Sequence, residues 1–168
     1  MSAAYRFRQG VRALVAWARP VDDALARAYL APPLYALYRR MRRSERQHSL
    51  RVLRDLLAAG HTQPDLLAAA LLHDVGKSGV RFSLPDKVLV VLVKALAPGR
   101  YRAWSSGQAT GWRLPFAVGG QHPAWGAEMA ERAGASPLTA ALIRRHADPP
   151  PDPPRDETER LLLALQAF

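Results

Sequence analysis

Proline and glycine cut this chain into short pieces, and nearly every piece between two cuts carries its apolar residues at the period of an α-helix. Pro20, Pro32-Pro33, Gly60, Pro98-Gly99 and the tract PPPDPP at 149–154 mark the breaks. Val11, Leu14, Val15 and Ala18 form a short amphipathic stretch over 10–18 that resumes over 21–30, and a helix is expected over 34–42. Ser44 with Gln47 three residues on reads as a capping box, so a helix should start there and run to about Ala59, with Gly60 closing it. Further helices are expected from Pro64 to about His73, over 85–97 with Pro85 in the first turn, over 123–133, over 137–147 and from 156 to the end. Residues 75–84 read as a loop, and residues 98–121, with five glycines and two prolines, read as a lid carrying Tyr101, Trp104 and Trp112. Val88–Val93 is apolar enough for a strand but has no partner strand in sight. The fold class is all-α.

A chain of 168 residues suits one domain with a core of its own. With no cysteine, a disulfide scaffold, a thiolate zinc site and an iron–sulfur cluster are excluded, so any metal must be held by nitrogen and oxygen. The densest apolar run, Val88 to Val93, is bounded by Lys87 and Lys94 and falls far short of the ~20 residues a bilayer span requires. The first twenty residues make a fair amphipathic helix and a poor signal peptide, which places the protein in the cytoplasm as an expectation. A net charge of +10 rests on 21 arginines and only 3 lysines. Apart from Arg39-Arg40-Met41-Arg42-Arg43 they are scattered and lack interleaved aromatics, so dedicated nucleic-acid binding is disfavoured and attraction to an anionic substrate fits better.

The histidines carry the chemical signal. His48 shares a stripe with Val52 and Leu56, and His146 shares one with Leu138 and Leu142, so both should point inward. His73 ends the run LLAAALL immediately before Asp74, and His122 precedes Pro123 at an expected helix start. His61 lies in a turn and should face solvent. A lone inward histidine is ordinarily a hydrogen-bonded core residue. Four of them beside an aspartate would cost several kcal/mol in desolvation without a common partner. A shared divalent cation removes that cost, and Asp74 has two oxygens with which to span two ions.

His48 in RQHSLRV, ALLHDVGKS at 70–78, His122 in QHPAWGAEMA and His146 in IRRHAD together resemble the HD superfamily of metal-dependent phosphohydrolases. The later histidines are similar to those of its HD-GYP-type branch, although the Gly-Tyr-Pro signature is missing. The resemblance covers residues 44–168 and implies an HD-like helical bundle there, with residues 1–43 as an N-terminal helical extension. It also implies two divalent transition-metal ions (Fe, Mn, Zn, Ni or Co). His48, His73 and Asp74 would bind the first, with Asp74 bridging, and His122 and His146 would complete the second. Lys77 would contact the substrate phosphate, and Asp74 and Lys77 would be the catalytic pair. The paired metals would lower the pKa of a bridging water to give a hydroxide that attacks phosphorus. Gly76 is expected to let the chain turn tightly after the ligand pair. The substrate implied is a phosphorylated small molecule, nucleotide-like or otherwise, and the five ligands should converge on one pocket.

Family members usually add a last aspartate from a terminal helix, after an apolar run resembling LLLALQAF. Here no carboxylate follows Glu159, and position 169 would fall one helical turn beyond Leu165. The expectation is therefore a truncated copy, a site completed by Asp148, water or substrate, or lost activity. Asp148, two residues after His146, is a poor substitute. Two other functions stay open alongside hydrolysis: a non-catalytic HD domain that binds a nucleotide or a partner protein, and a diiron oxygenase.

Overall fold

The computed structural model describes residues 20–168, apart from 81–83 and 109, so the amphipathic stretch over 10–18 lies outside the described residues. Among the described residues there are nine α-helices and no strand. They are α1 Asp23–Tyr29, α2 Pro32–Arg39, α3 Arg43–Ala58, α4 Pro64–Leu72, α5 Leu84–Leu96, α6 Pro98–Ser105, α7 Leu114–Arg132, α8 Pro137–Arg145 and α9 Glu157–Gln166, with short 3-10 turns at Val75–Lys77 and Gly111–Arg113.

The fold is organised around α4. Every residue from Leu66 to Leu72 is buried, as a helix apolar on all sides must be. Leu50, Leu53 and Leu56 of α3, Leu142 and Ile143 of α8, and Leu162 and Leu165 of α9 surround it in one cluster. Ala26, Leu34, Leu37 and Tyr38 of α1 and α2 join the same cluster. Gly60, at φ +86°, ends α3 in the left-handed conformation that favours glycine.

Two expectations at helix starts need correction. Helix α3 begins two residues before the Ser44–Gln47 box would place it, with Arg42 as N-cap and the Arg42 N–H donating to the Glu45 carboxylate at 2.9 Å. A charged acceptor near a helix N-terminus outcompetes the neutral Gln47. Pro123 does not open a helix either. It lies inside α7, which runs unbroken from Leu114 to Arg132 and puts His122 mid-helix. Pro123 has no N–H to give the Gly119 carbonyl one turn back, so the helix runs on with one ladder bond fewer. The segment expected as a lid holds α6 and the Gly111–Arg113 turn. Trp104 there packs edge-on against Phe116 of the core at 5.1 Å between ring centroids.

Candidate metal centre

His73 caps the C-terminus of α4, and Asp74 leads into the 3-10 turn that follows. That turn folds Lys77 back until its Nζ lies 2.6 Å from Asp74 Oδ1. Gly76 presses the turn against α7: a Cβ on it would sit 2.0 Å from the His122 carbonyl oxygen and 2.7 Å from the Gly126 nitrogen. Its φ is not positive. The tight turn expected after the ligand pair is present, and the glycine in it serves the close approach of two backbones rather than a left-handed conformation.

The structure brings His48, His73, Asp74, His122 and His146 together from four helices and one turn. One Asp74 oxygen, Oδ1, lies 3.7 Å from Nε2 of His73, 3.6 Å from that of His122 and 3.8 Å from that of His146. The nearest ligand atoms of His48, His73 and Asp74 all fall within 4.8 Å of one another, and so do those of Asp74, His122 and His146.

Backbone carbonyls set the protonation of three of these rings. The Nδ1 of His73 faces the Ala70 oxygen at 2.9 Å, that of His122 the Val118 oxygen at 2.8 Å, and that of His146 the Ile143 oxygen at 2.7 Å. A carbonyl only accepts, so Nδ1 carries the proton and Nε2 of the neutral ring is a bare lone pair. The Nε2 atoms of His122 and His146 are 3.2 Å apart. Burial pushes the His73 imidazole down to about 4. It takes His122 down to about 4 as well, assisted by the Lys77 charge. His146 is also lowered by burial. At neutral pH two lone pairs therefore face each other with no proton between them. A cation there converts that repulsion into coordination, and the donor set of neutral imidazoles and a carboxylate suits a divalent transition metal.

Burial alone would raise the Asp74 carboxyl, but the His73 imidazole, the Lys77 ammonium bonded to it and His122 outweigh burial and hold it well below the usual carboxylate range. His48 is arranged differently. Its half-buried ring stands edge-on to His73 at 5.1 Å, and its Nδ1 accepts from Arg51 Nη2 at 3.2 Å, which leaves the proton on Nε2. To ligate through Nε2 it must release Arg51 and exchange tautomer.

His61, expected to face solvent, is partly buried in its turn and outside the cluster. Asp148 is also outside it, with a side chain 55% exposed and 3.7 Å from Arg145 Nε. Besides a cavity of about 600 Å³ that reaches His48 alone of the cluster, two flank the centre. One of about 440 Å³ is bounded by Arg42, His48, Asp74, Lys77, Val90, Val91 and Pro115. The other, about 190 Å³, lies between His48, His73, His146 and the end of α9 at Leu165, Gln166 and Phe168. Arg42 and Gln166 are functional candidates that sequence reasoning missed. Gln166 Nε2 donates to the His146 carbonyl at 3.1 Å and the Asp148 carbonyl at 2.9 Å, which steadies the backbone behind the His146 ring. Arg42 was visible only as one member of a basic run, with no spacing to single it out.

Neither the curated proteins nor the solved structures contain a match to this chain. The family model of the HD domain matches residues 46–167, from the first residues of α3 to the end of α9, and so takes in every residue of the cluster. With that match over most of its length, the chain belongs to the HD domain family, whose members are generally metal-dependent phosphohydrolases.

Proposed function

We propose that this protein is a metal-dependent phosphohydrolase or phosphodiesterase acting on a nucleotide-like or other phosphorylated small molecule. The observation that carries the reading is the convergence of bare imidazole nitrogens on Asp74, above all the 3.2 Å approach of His122 Nε2 to His146 Nε2. His48, His73 and Asp74 would hold one ion, and Asp74, His122 and His146 a second. When bound, such ions supply a Lewis acid for a phosphoryl oxygen and lower the pKa of a coordinated water.

The chain's own residues do the rest. Asp74, kept ionised, has two oxygens to share between the two ligand groups. Lys77 stands beside it with an ammonium that can turn to a phosphate oxygen as charge develops there. Arg42, on the rim of the same cavity, adds a second cation within reach of an anionic ligand. A cavity of about 440 Å³ is in the range that encloses small-molecule ligands, and Val90, Val91 and Pro115 offer an apolar wall to the part of the substrate away from the phosphate.

The test is metal analysis of the purified protein beside hydrolysis of p-nitrophenyl phosphate and of its bis ester. The expected result is bound divalent metal and metal-dependent release of p-nitrophenol, both lost in His73→Ala and Asp74→Ala. Metal without hydrolysis of either ester or of a nucleotide panel would sink the catalytic reading and leave a binding domain. An iron chromophore with oxygen consumption would move the protein to oxygenase chemistry.

A further inference from the structure

Helix α5 is mounted with its apolar side outward. Val88, Leu89, Val91, Leu92 and Leu96 are 50, 47, 65, 50 and 81% exposed, and at 100° per residue they form one continuous stripe. The inner side is narrower: Val90 faces α7, where a Cβ on Gly119 would lie 3.5 Å from it, and Lys94 lies over the Tyr101 ring at 5.7 Å. With Trp112, which is 61% exposed, this region holds six of the eight large apolar side chains exposed among the described residues. A patch so concentrated marks a docking surface.

Charge identifies what docks. From Lys87 to Ala127 the sequence has five lysines and arginines and no aspartate or glutamate; the carboxylate of α5 itself, Asp86, sits in its first turn. Arg100, Arg102 and Arg113 are exposed on the α6 segment and the turn beside the apolar stripe, and the Arg113 guanidinium stacks on Trp112 at 5.1 Å. A second copy of this chain would bring cations onto cations. An anionic lipid surface accepts both features at once, the stripe entering the acyl boundary and the cations meeting headgroup phosphates. The 13 residues of α5 make a helix about 20 Å long, too short to span a bilayer and suited to lie in its interface. Exposed tryptophan beside arginine belongs at that depth. Among the described residues no helix is long and apolar enough to cross a membrane.

We propose that the outward face of α5, with α6 and the Gly111–Arg113 turn, docks this protein onto anionic membrane surfaces. The inference rests on exposure and charge and is independent of the catalytic reading. Val91 belongs both to the stripe and to the wall of the 440 Å³ cavity, so the docked face borders the mouth of the candidate site.

The experiment is co-sedimentation of the full-length protein with vesicles of phosphatidylcholine alone and of phosphatidylcholine with about one-third phosphatidylglycerol, at low and high salt. Binding to the anionic vesicles only, weakened by salt, is expected. Val91→Glu and Leu96→Ser, at side chains already exposed, should each weaken it by about tenfold or more while leaving the melting temperature near that of the parent. Arg100→Gln with Arg102→Gln should cost roughly fivefold per arginine. Tyr29→Glu, at an exposed apolar residue away from this face, should bind as the parent does. Three results would each overturn the proposal: no sedimentation with anionic vesicles, parental binding by both Val91→Glu and Leu96→Ser, or a dimer that Val91→Glu dissociates in a protein indifferent to vesicles.

Discussion

Replacing Gly76 by alanine should damage both the fold and the metal centre, because the added methyl has nowhere to go. Its three nearest atoms would be the His122 carbonyl oxygen at 2.0 Å, the Gly126 nitrogen at 2.7 Å and the His122 carbonyl carbon at 2.9 Å, all of them backbone. Relief to an ordinary contact requires the Val75–Lys77 turn and α7 to separate by more than about 1 Å, and no side chain can yield instead. Overpacking of this kind costs about 1–3 kcal/mol, and a clash against rigid backbone belongs at the top of that range. For a chain of this length that lowers the melting temperature by roughly 6–12 °C.

The same displacement separates Asp74 from His122, whose facing atoms are 3.6 Å apart. Metal affinity should then fall by about 10–100-fold, the usual consequence of disturbing the partners of a metal site. Two controls grade the effect. Gly126→Ala meets its nearest atom at 3.1 Å, in the same contact, and should be milder on both counts. Gly79→Ala is strained by its φ of +92° but has open space around it, so it should cost stability without affecting metal. Urea unfolding and calorimetric titration with Mn²⁺ or Zn²⁺ measure the two quantities. If Gly76→Ala melts within 2 °C of the parent and binds metal equally well, the close-approach account of this turn is wrong.

Lys77→Ala should retain metal and lower the rate on phosphoesters by about 10²-fold, since a lost cation at a developing charge acts on the transition state; a parental rate would return Lys77 to a loop lysine. Stability of the metal-free protein should fall on acidification. His73 and His122 have folded values of about 4 against 6.5 unfolded, so between those limits the unfolded chain binds more protons and stability rises with pH. Each such histidine adds up to about 1.4 kcal/mol per pH unit to the slope, and Asp74, depressed in the fold, adds its loss at still lower pH; urea melts from pH 4.5 to 7 that show no slope would contradict the assignment. Ser136→Ala should cost about 1 kcal/mol, because Ser136 Oγ accepts from the Thr139 N–H at 3.0 Å at the start of α8 and is bonded to Asp65; thermal melts that match the parent would show that cap to be idle.

What could be read in the sequence followed from periodicity. His48 with Val52 and Leu56, and His146 with Leu142, share helical faces, so their inward direction could be stated before their partners were known. Helix ends near Gly60 and near His73 are legible for the same local reasons. The rest depends on where elements meet. A proline at a helix start and one inside a helix look alike in sequence, although only the second gives up a ladder bond, so the Pro123 signal points to a start while α7 begins nine residues earlier. The contact between Gly76 and Gly126 joins residues 50 apart in sequence and leaves no periodic trace. Helix α5 was legible as a helix, but an apolar run cannot say which of its sides turns outward.

The three carbonyl-anchored histidines show how the backbone fixes the direction of the lone pairs. His73 and His146 are the C-cap residues of α4 and α8, and the carbonyls they engage, Ala70 and Ile143, each belong to the third residue from the helix end. Those carbonyls belong to the four that a helix leaves without an intrahelical partner at its C-terminus. One Nδ1–H therefore satisfies an orphan carbonyl and fixes the tautomer that leaves Nε2 bare. The C-terminal ends of α4 and α8 both carry partial negative charge and both adjoin Asp74, so the backbone favours a cation at the point where the side chains aim their lone pairs. His122 obtains the same tautomer from mid-helix, through the Val118 carbonyl one turn back. His48 has no such anchor and is held by Arg51 in the opposite tautomer, so of the four rings it alone would have to exchange a hydrogen bond before its Nε2 could coordinate.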